Sequence, residues 1–200
     1  MPPQKQRTPA LRQRISVEAL DLLERCGPAG LRARAVASAA GTSTAAVYEL
    51  FGDKAGLIQS LSDDGFEQLR TDLVSVASSN DPAQDVRSLF EAIRRFGRKR
   101  PQLFEVMFSG PFEGSGFDRD DGPTNGPLFA LVVDRVARWL DNEGSEADPT
   151  DVTRVLISAN RGLVTDENVG LLGSTLTSRT RRWNLTFDAL LAGIAGHDRA

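Results

Sequence analysis

Three times in this chain a capping side chain is followed at once by proline, at Thr8-Pro9, Asp81-Pro82 and Asp148-Pro149, and no stretch sustains the period-two alternation of a half-buried strand. A Thr or Asp at the N-cap accepts a hydrogen bond from the first helical turn. Proline at the next position loses no hydrogen bond there and has its φ already set. The segment after the first pair places Leu11, Ile15, Ala19, Leu22, Leu23 and Cys26 on one helical face and ends at Gly27-Pro28. Asp81 with Gln84, and Asp148 with Asp151, set a second polar group three positions after the cap. Together these signals predict an all-α chain of about nine helices.

Several classes are disfavoured by what the chain lacks. No run approaches the ~18 consecutive apolar residues of a membrane span, and "MPPQKQRTPA" has no apolar signal core, so a soluble, cytoplasmic protein with no membrane partner is expected. The single cysteine, Cys26, has no internal disulfide partner and reads as a small hydrophobe. The only histidine is His197, and there is no G-x-S-x-G, no phosphate-binding loop and no metal-ligand cluster, so enzyme chemistry, a cofactor or a metal has no support. "DRDDG" invites a calcium reading, but its glycine comes one residue early and Phe129 stands where the bidentate Glu belongs.

Charge is unevenly spread. Residues 1–54 carry eight Lys or Arg against five acids, a net +3, which leaves −6 for the remainder of a chain whose total is −3. A basic head on an acidic body fits a sequence-specific nucleic-acid binder with a separate effector region.

Within that head, "RARAVASAAGTSTAAVYELF" reads as two short helices around Gly41. Val47, Leu50 and Phe51 fall at i, i+3 and i+4 and face other helices; Ser43 caps the second helix; Thr44, Ala45 and Tyr48 face outward. This is a helix-turn-helix pattern with an unusually small outer face. Small residues let a backbone approach base edges, so Ala45 and Ala46 permit approach, and Thr44 and the alanine methyls can meet thymine methyl groups. Arg34 can reach guanine bidentately, and Tyr48 and Lys54 can donate to the phosphate backbone. An ordinary helical hairpin is the alternative.

Ile15, Ala19, Gly27, Val36-Ala37, Ala40-Gly41-Thr42-Ser43, Val47-Tyr48, Phe51, Lys54 and Leu57 follow the spacing of the N-terminal domain of TetR/AcrR-type transcriptional regulators, which residues 8 to about 60 resemble. The resemblance implies an all-helical homodimer in which each N-terminal three-helix head reads one half of a near-palindromic double-stranded DNA operator. It puts Arg34 and Thr44 to Ala46 at base-facing positions and Tyr48 and Lys54 at phosphate-facing ones. Thr42 stands where a branched apolar residue is usual, and Leu50 where a histidine is common. Farther on, "RRFGRKRPQLFEVMFSGPF" is similar to a TetR subgroup marked by a Trp-x-x-x-His-Gly motif; the matching place here reads Ile157-Ser158-Ala159-Asn160-Arg161-Gly162, which keeps only the glycine.

The resulting division is a basic arm over 1–7, a DNA-binding domain over 8–57, and a C-terminal helical bundle over 58–200 for ligand binding and dimerisation. The arm either adds phosphate or minor-groove contacts through Lys5 and Arg7 or is an inert tail. Phe104, Met107, Phe108 and Phe112 follow one helical face; with Phe129 and Asn160 they form either core or an apolar pocket for a small-molecule effector. Residues 109–127 read as a long loop, a lid or disorder. Val152, Val155, Leu156, Ala159 and Leu163 form one late stripe, and Trp183, Phe187, Leu190, Leu191 and Ile194 another; they pair two copies in a dimer or are filled within one chain. The expected function is a DNA-binding transcriptional regulator, a repressor released by a largely apolar ligand. The alternative is a protein of the same fold acting through protein contacts alone.

Overall fold

The computed structural model describes residues 9–109 and 126–197. All regular structure among them is α-helical: α1 (Pro9–Gly30), α2 (Ala33–Ala39), α3 (Thr44–Phe51), α4 (Lys54–Val74), α5 (Pro82–Lys99), α6 (Pro101–Ser109), α7 (Pro127–Glu143), α8 (Pro149–Asn168) and α9 (Leu176–His197). The expected fold class is the one observed. The described residues divide into two compact units, 9–66 with 102–109, and 67–101 with 126–197. The basic arm, the Thr8 cap, "DRDDG", Phe112 and most of the 109–127 loop lie outside the described residues.

In the first unit α1 buries Leu11, Ile15, Ala19 and Leu23 against a core that includes Leu31, Val36, Val47, Phe51, Leu57 and Leu61. The inward face advances by four residues, and its next step is Gly27, where the backbone leaves the helical region (φ 65, ψ −176). Cys26, expected on that face, is therefore exposed beyond the last packed turn. α6 joins this unit from far along the chain. The Glu24 carboxylate accepts hydrogen bonds from the Leu103 N–H (3.0 Å) and the Gln102 N–H (3.3 Å), placing negative charge at the N-terminus of α6. A Cβ on Gly65 would lie 2.8 Å from Met107 Sδ and 3.2 Å from Leu103 Cδ2, so α4 and α6 approach closely there and a side chain would require Met107 and Leu103 to shift. Phe108 meets Phe66 edge-on (5.6 Å between centroids) and Phe104 at 4.7 Å.

In the second unit α5, α7 and α8 pack against one another, and α9 lies against α8. Asp81 caps α5 by accepting from the Gln84 N–H (3.0 Å), and Asp148 caps α8 by accepting from Thr150 (2.7 Å) and Asp151 (3.0 Å). The Gln84 side chain turns forward to Ser88 instead of back to the cap. Trp183 stacks on Phe187 (4.3 Å, 17°), which packs on Phe90 (5.2 Å). A polar network runs through this aromatic core: Arg94 grips Glu167 through two hydrogen bonds (2.7 and 3.1 Å) and reaches Thr180, Arg98 adds a second ion pair to Glu167 (2.9 Å), and Trp183 Nε1 donates to Asn160 Oδ1 (2.9 Å).

This packing corrects the two late stripes. Val152, Leu156, Trp183 and Phe187 are buried inside their own chain, whereas Val155 is 51% exposed. Both sides of α8 and α9 carry apolar residues, and the larger ones turned inward. Ala159, Leu163, Leu190, Leu191 and Ile194 are not buried with them.

Candidate nucleic-acid interface

α2 and α3 are each only two turns long, too short to hold themselves in water, so caps and tertiary contacts fix them. α2 ends in a Schellman closure: Gly41 takes the left-handed conformation (φ 58), its N–H bonds the Ser38 carbonyl (3.3 Å), and the Thr42 N–H bonds the Ala37 carbonyl (2.9 Å). Ser43 opens α3 by accepting from the Ala46 N–H (3.2 Å). Thr42 thus supplies a backbone donor to the closure, a task for which a branched apolar side chain is not required.

α3 ends at Gly52 (φ 77), whose N–H bonds the Tyr48 carbonyl (2.7 Å), and α4 begins two residues later. Asp53 caps α4 by accepting from the Gly56 N–H (2.8 Å). A Cβ on Gly56 would lie 2.0 Å from the Phe51 carbonyl oxygen, so only glycine permits this approach of α4 to α3. Two arginines of α1 complete the frame: Arg12 Nη1 donates to the Leu50 carbonyl (2.7 Å) and Arg14 Nε to the Ala40 carbonyl (2.9 Å). Sequence reasoning passed over Gly56, Asp53, Arg12 and Arg14. The D-x-x-G spacing at 53–56 was the available signal for the first pair; the arginine contacts span 38 and 26 residues and leave no local trace.

Thr44, Ala45, Tyr48 and Glu49 are exposed on one side of α3, and Arg34 and Lys54 are accessible on α2 and α4. Tyr48 is 54% exposed, unusual for the chain's single tyrosine in a packed head. Ala46 departs from the expected outward set. It is 9% exposed and faces the core beside Val47, because the inward stripe of so short a helix takes two adjacent positions. Ser43 acts through its cap. Tyr48 and Lys54 line a hollow of about 330 Å³ together with Arg32, Asp53 and the apolar Leu31, Val47 and Leu57.

Similarity to known proteins decides what this head belongs to. Residues 15–61 match the family model described as bacterial regulatory proteins, tetR family, and residues 86–190 match the tetracyclin repressor-like C-terminal domain. The chain belongs to the TetR family. Its members are helix-turn-helix, DNA-binding transcription regulators rather than enzymes. No curated protein matches the chain. Solved structures share the fold: a protein of unknown function from Rhodococcus sp. RHA1 is 22% identical over 98% of this chain and 100% of its own, with a TM-score of 0.73. A single-residue variant of TetR from Acinetobacter baumannii AYE in complex with minocycline is 18% identical over 90% and 93% of the two chains, with a TM-score of 0.67. BioQ with its double-stranded DNA operator is 17% identical over 93% and 98%, with a TM-score of 0.66.

The remaining expected site residues fall in both units. Phe104 and Met107 are buried and Phe108 half-buried in the first; Phe129 and Asn160 are buried in the second. The Asn160 amide, expected to face a ligand, instead bridges Trp183 and the Phe90 carbonyl (3.4 Å). No helix among the described residues is long and apolar enough to cross a membrane, and these residues hold no cluster of three metal-ligating side chains.

Proposed function

We propose that this TetR-family chain binds a near-palindromic operator as a homodimer, with α3 of each copy in the major groove, and represses transcription until a small molecule releases it. The observation that carries the reading is the outer face of α3: Thr44 and Ala45 stand exposed beside the exposed Tyr48, on a helix capped or clamped at both ends. Thr44 and Ala45 allow the helix to sit against base edges, Arg34 reads a base from α2, and Tyr48 and Lys54 hold phosphates from the hollow they share. The relative whose structure contains its operator lends support to the DNA arm of this reading, and the relative with minocycline to the ligand arm.

The functional division puts DNA binding in 8–57 and ligand binding and dimerisation in 58–200; the compact units differ from it in that the first runs on along α4 to Phe66 and includes α6. Pairing would use what α8 and α9 leave uncovered, with Val155 (51% exposed) and Leu185 (70%) at the centre and Ala159, Leu163, Leu190, Leu191 and Ile194 around them. For the effector, the described residues of the second unit retain three buried polar atoms without partners, Arg135 Nη1, Thr153 Oγ1 and Asn184 Oδ1, available to orient a largely apolar molecule. Such a ligand would act by binding better to the dimer whose heads do not match the operator spacing.

The test is recovery of fragmented genomic DNA on the purified protein, followed by sequencing. A shared inverted repeat is expected, with half-sites about one helical turn apart or a related spacing. No enrichment at moderate salt would favour a protein-contact role for the same fold.

A further inference from the structure

Resting on the reading that α3 recognises DNA, we propose that Arg12 and Arg14 of α1 are positioning residues for the helix-turn-helix: they hold the carbonyl ends of α3 and α2 and do not themselves bind DNA. The last four carbonyls of any helix lack intrahelical donors, and in a helix of eight residues they are half of the backbone acceptors. At the end of α3 the Tyr48 carbonyl is taken by the Gly52 N–H and the Phe51 carbonyl by the Asp53 N–H (3.0 Å). The Leu50 carbonyl between them is taken by Arg12 Nη1 at 2.7 Å. The same guanidinium donates through Nη2 to Ser60 Oγ on α4 (3.1 Å) and lies 4.5 Å over the Phe51 ring. One planar group therefore touches α3 by a carbonyl and a ring and α4 by a hydroxyl, fixing the angle between them.

Arg14 does the corresponding work at α2. Its Nε donates to the carbonyl of Ala40, the C-cap residue, whose own N–H bonds back to Val36. Positive charge at both C-termini also opposes the helix dipoles. A lysine cannot reproduce the Arg12 arrangement, because its donors all sit on one tetrahedral nitrogen, whereas guanidinium holds donors on separate nitrogens in a rigid plane with a flat stacking face. Both arginines count toward the basic charge of the head, yet the donors named here face protein carbonyls and a hydroxyl.

The experiment is a titration of the recovered operator at several salt concentrations with the full-length wild-type chain, Arg12→Lys, Arg12→Ala and Ser60→Ala, each checked for helix content by circular dichroism. A positioning role predicts that Arg12→Lys and Arg12→Ala both weaken binding about tenfold with the slope of log K against log[salt] unchanged, and that Ser60→Ala weakens it about two- to threefold at the same slope. A phosphate contact predicts the opposite: Arg12→Lys binds nearly as wild type, Arg12→Ala lowers the slope by about 1, and Ser60→Ala has no effect. Should Arg12→Ala not fold, Arg12→Lys and Ser60→Ala decide the matter. If the wild-type chain recovers no operator, the DNA reading itself fails; if it binds and Arg12→Lys binds as well, only the positioning role is overturned.

Discussion

Gly56 is the residue on which the geometry of the head depends most narrowly. Any side chain there would meet the Phe51 carbonyl oxygen at 2.0 Å, and that obstacle is backbone, which has no flexible end to yield. Gly56→Ala is expected to destabilise the chain by about 1–3 kcal/mol, read as a lowered midpoint in thermal or urea unfolding, with a parallel loss of operator affinity. The exposed residues behave differently because they carry no packing. Lys54→Ala and Tyr48→Phe should weaken binding evenly across DNA sequences, while Arg34→Ala should relax preference at one base pair, measured by selection from randomised duplexes; a uniform loss for Arg34→Ala would contradict its base-reading role. At this scale the sequence was most legible where chemistry is local. Ser43, Asp81 and Asp148 cap helices as their positions foretold, since a cap and the backbone N–H it accepts from lie within three residues. Ala46 was misjudged for an equally local reason: on a two-turn helix, one alanine looks outward and the next inward, and composition does not separate them.

Among elements, α5, α8 and α9 are joined by charge buried in an aromatic core. Glu167 is fully buried and serves two arginines, so removing its charge strands Arg94 beside the Trp183 ring. Glu167→Gln is expected to cost about 3 kcal/mol, observable in denaturant unfolding together with a change in Trp fluorescence. A second polar knot joins the α4–α5 connection to α7. Burial alone would raise the Asp85 carboxyl, but the Ser79 N–H and hydroxyl, with the Arg138 ion pair at 3.0 Å, outweigh it and hold the pKa below the ordinary carboxylate value. A depressed carboxyl contributes stability that is fully present above its unfolded pKa of about 3.9 and is lost as pH falls through the lower folded value. Thermal melts should therefore show wild type losing stability across that acid window and Asp85→Asn, less stable at neutral pH, losing less there. Neither network was legible in the sequence. Arg94 and Glu167 are 73 residues apart, and a charged residue within an amphipathic helix looks alike whether it meets water or a buried partner. The same non-locality hid the attachment of α6 to α1 through Glu24, 78 and 79 residues distant from the amides it caps.

For the whole molecule, the sequence revealed the number of helices among the described residues and, Ala46 apart, which residues of α3 look outward, but not which side of α8 and α9 a second copy would use. Apolar residues on both sides made the two choices equivalent until packing assigned Trp183 and Phe187 to the interior and left Leu185 outside. Leu185→Asp should accordingly yield a folded monomer in sedimentation, whereas Phe187→Asp should unfold the chain; a Leu185→Asp protein that still sediments as a dimer would place the interface elsewhere. The central claim is that the small outer face of α3 meets DNA, and the most direct measurement is a titration of the recovered operator with wild type and Ala45→Glu. Ala45 is exposed, so the substitution leaves the fold intact while adding bulk and negative charge where close approach to DNA is required. Thermal stability should be unchanged and operator affinity reduced by about a hundredfold or more. Equal affinity for the two proteins would mean that another surface carries the binding.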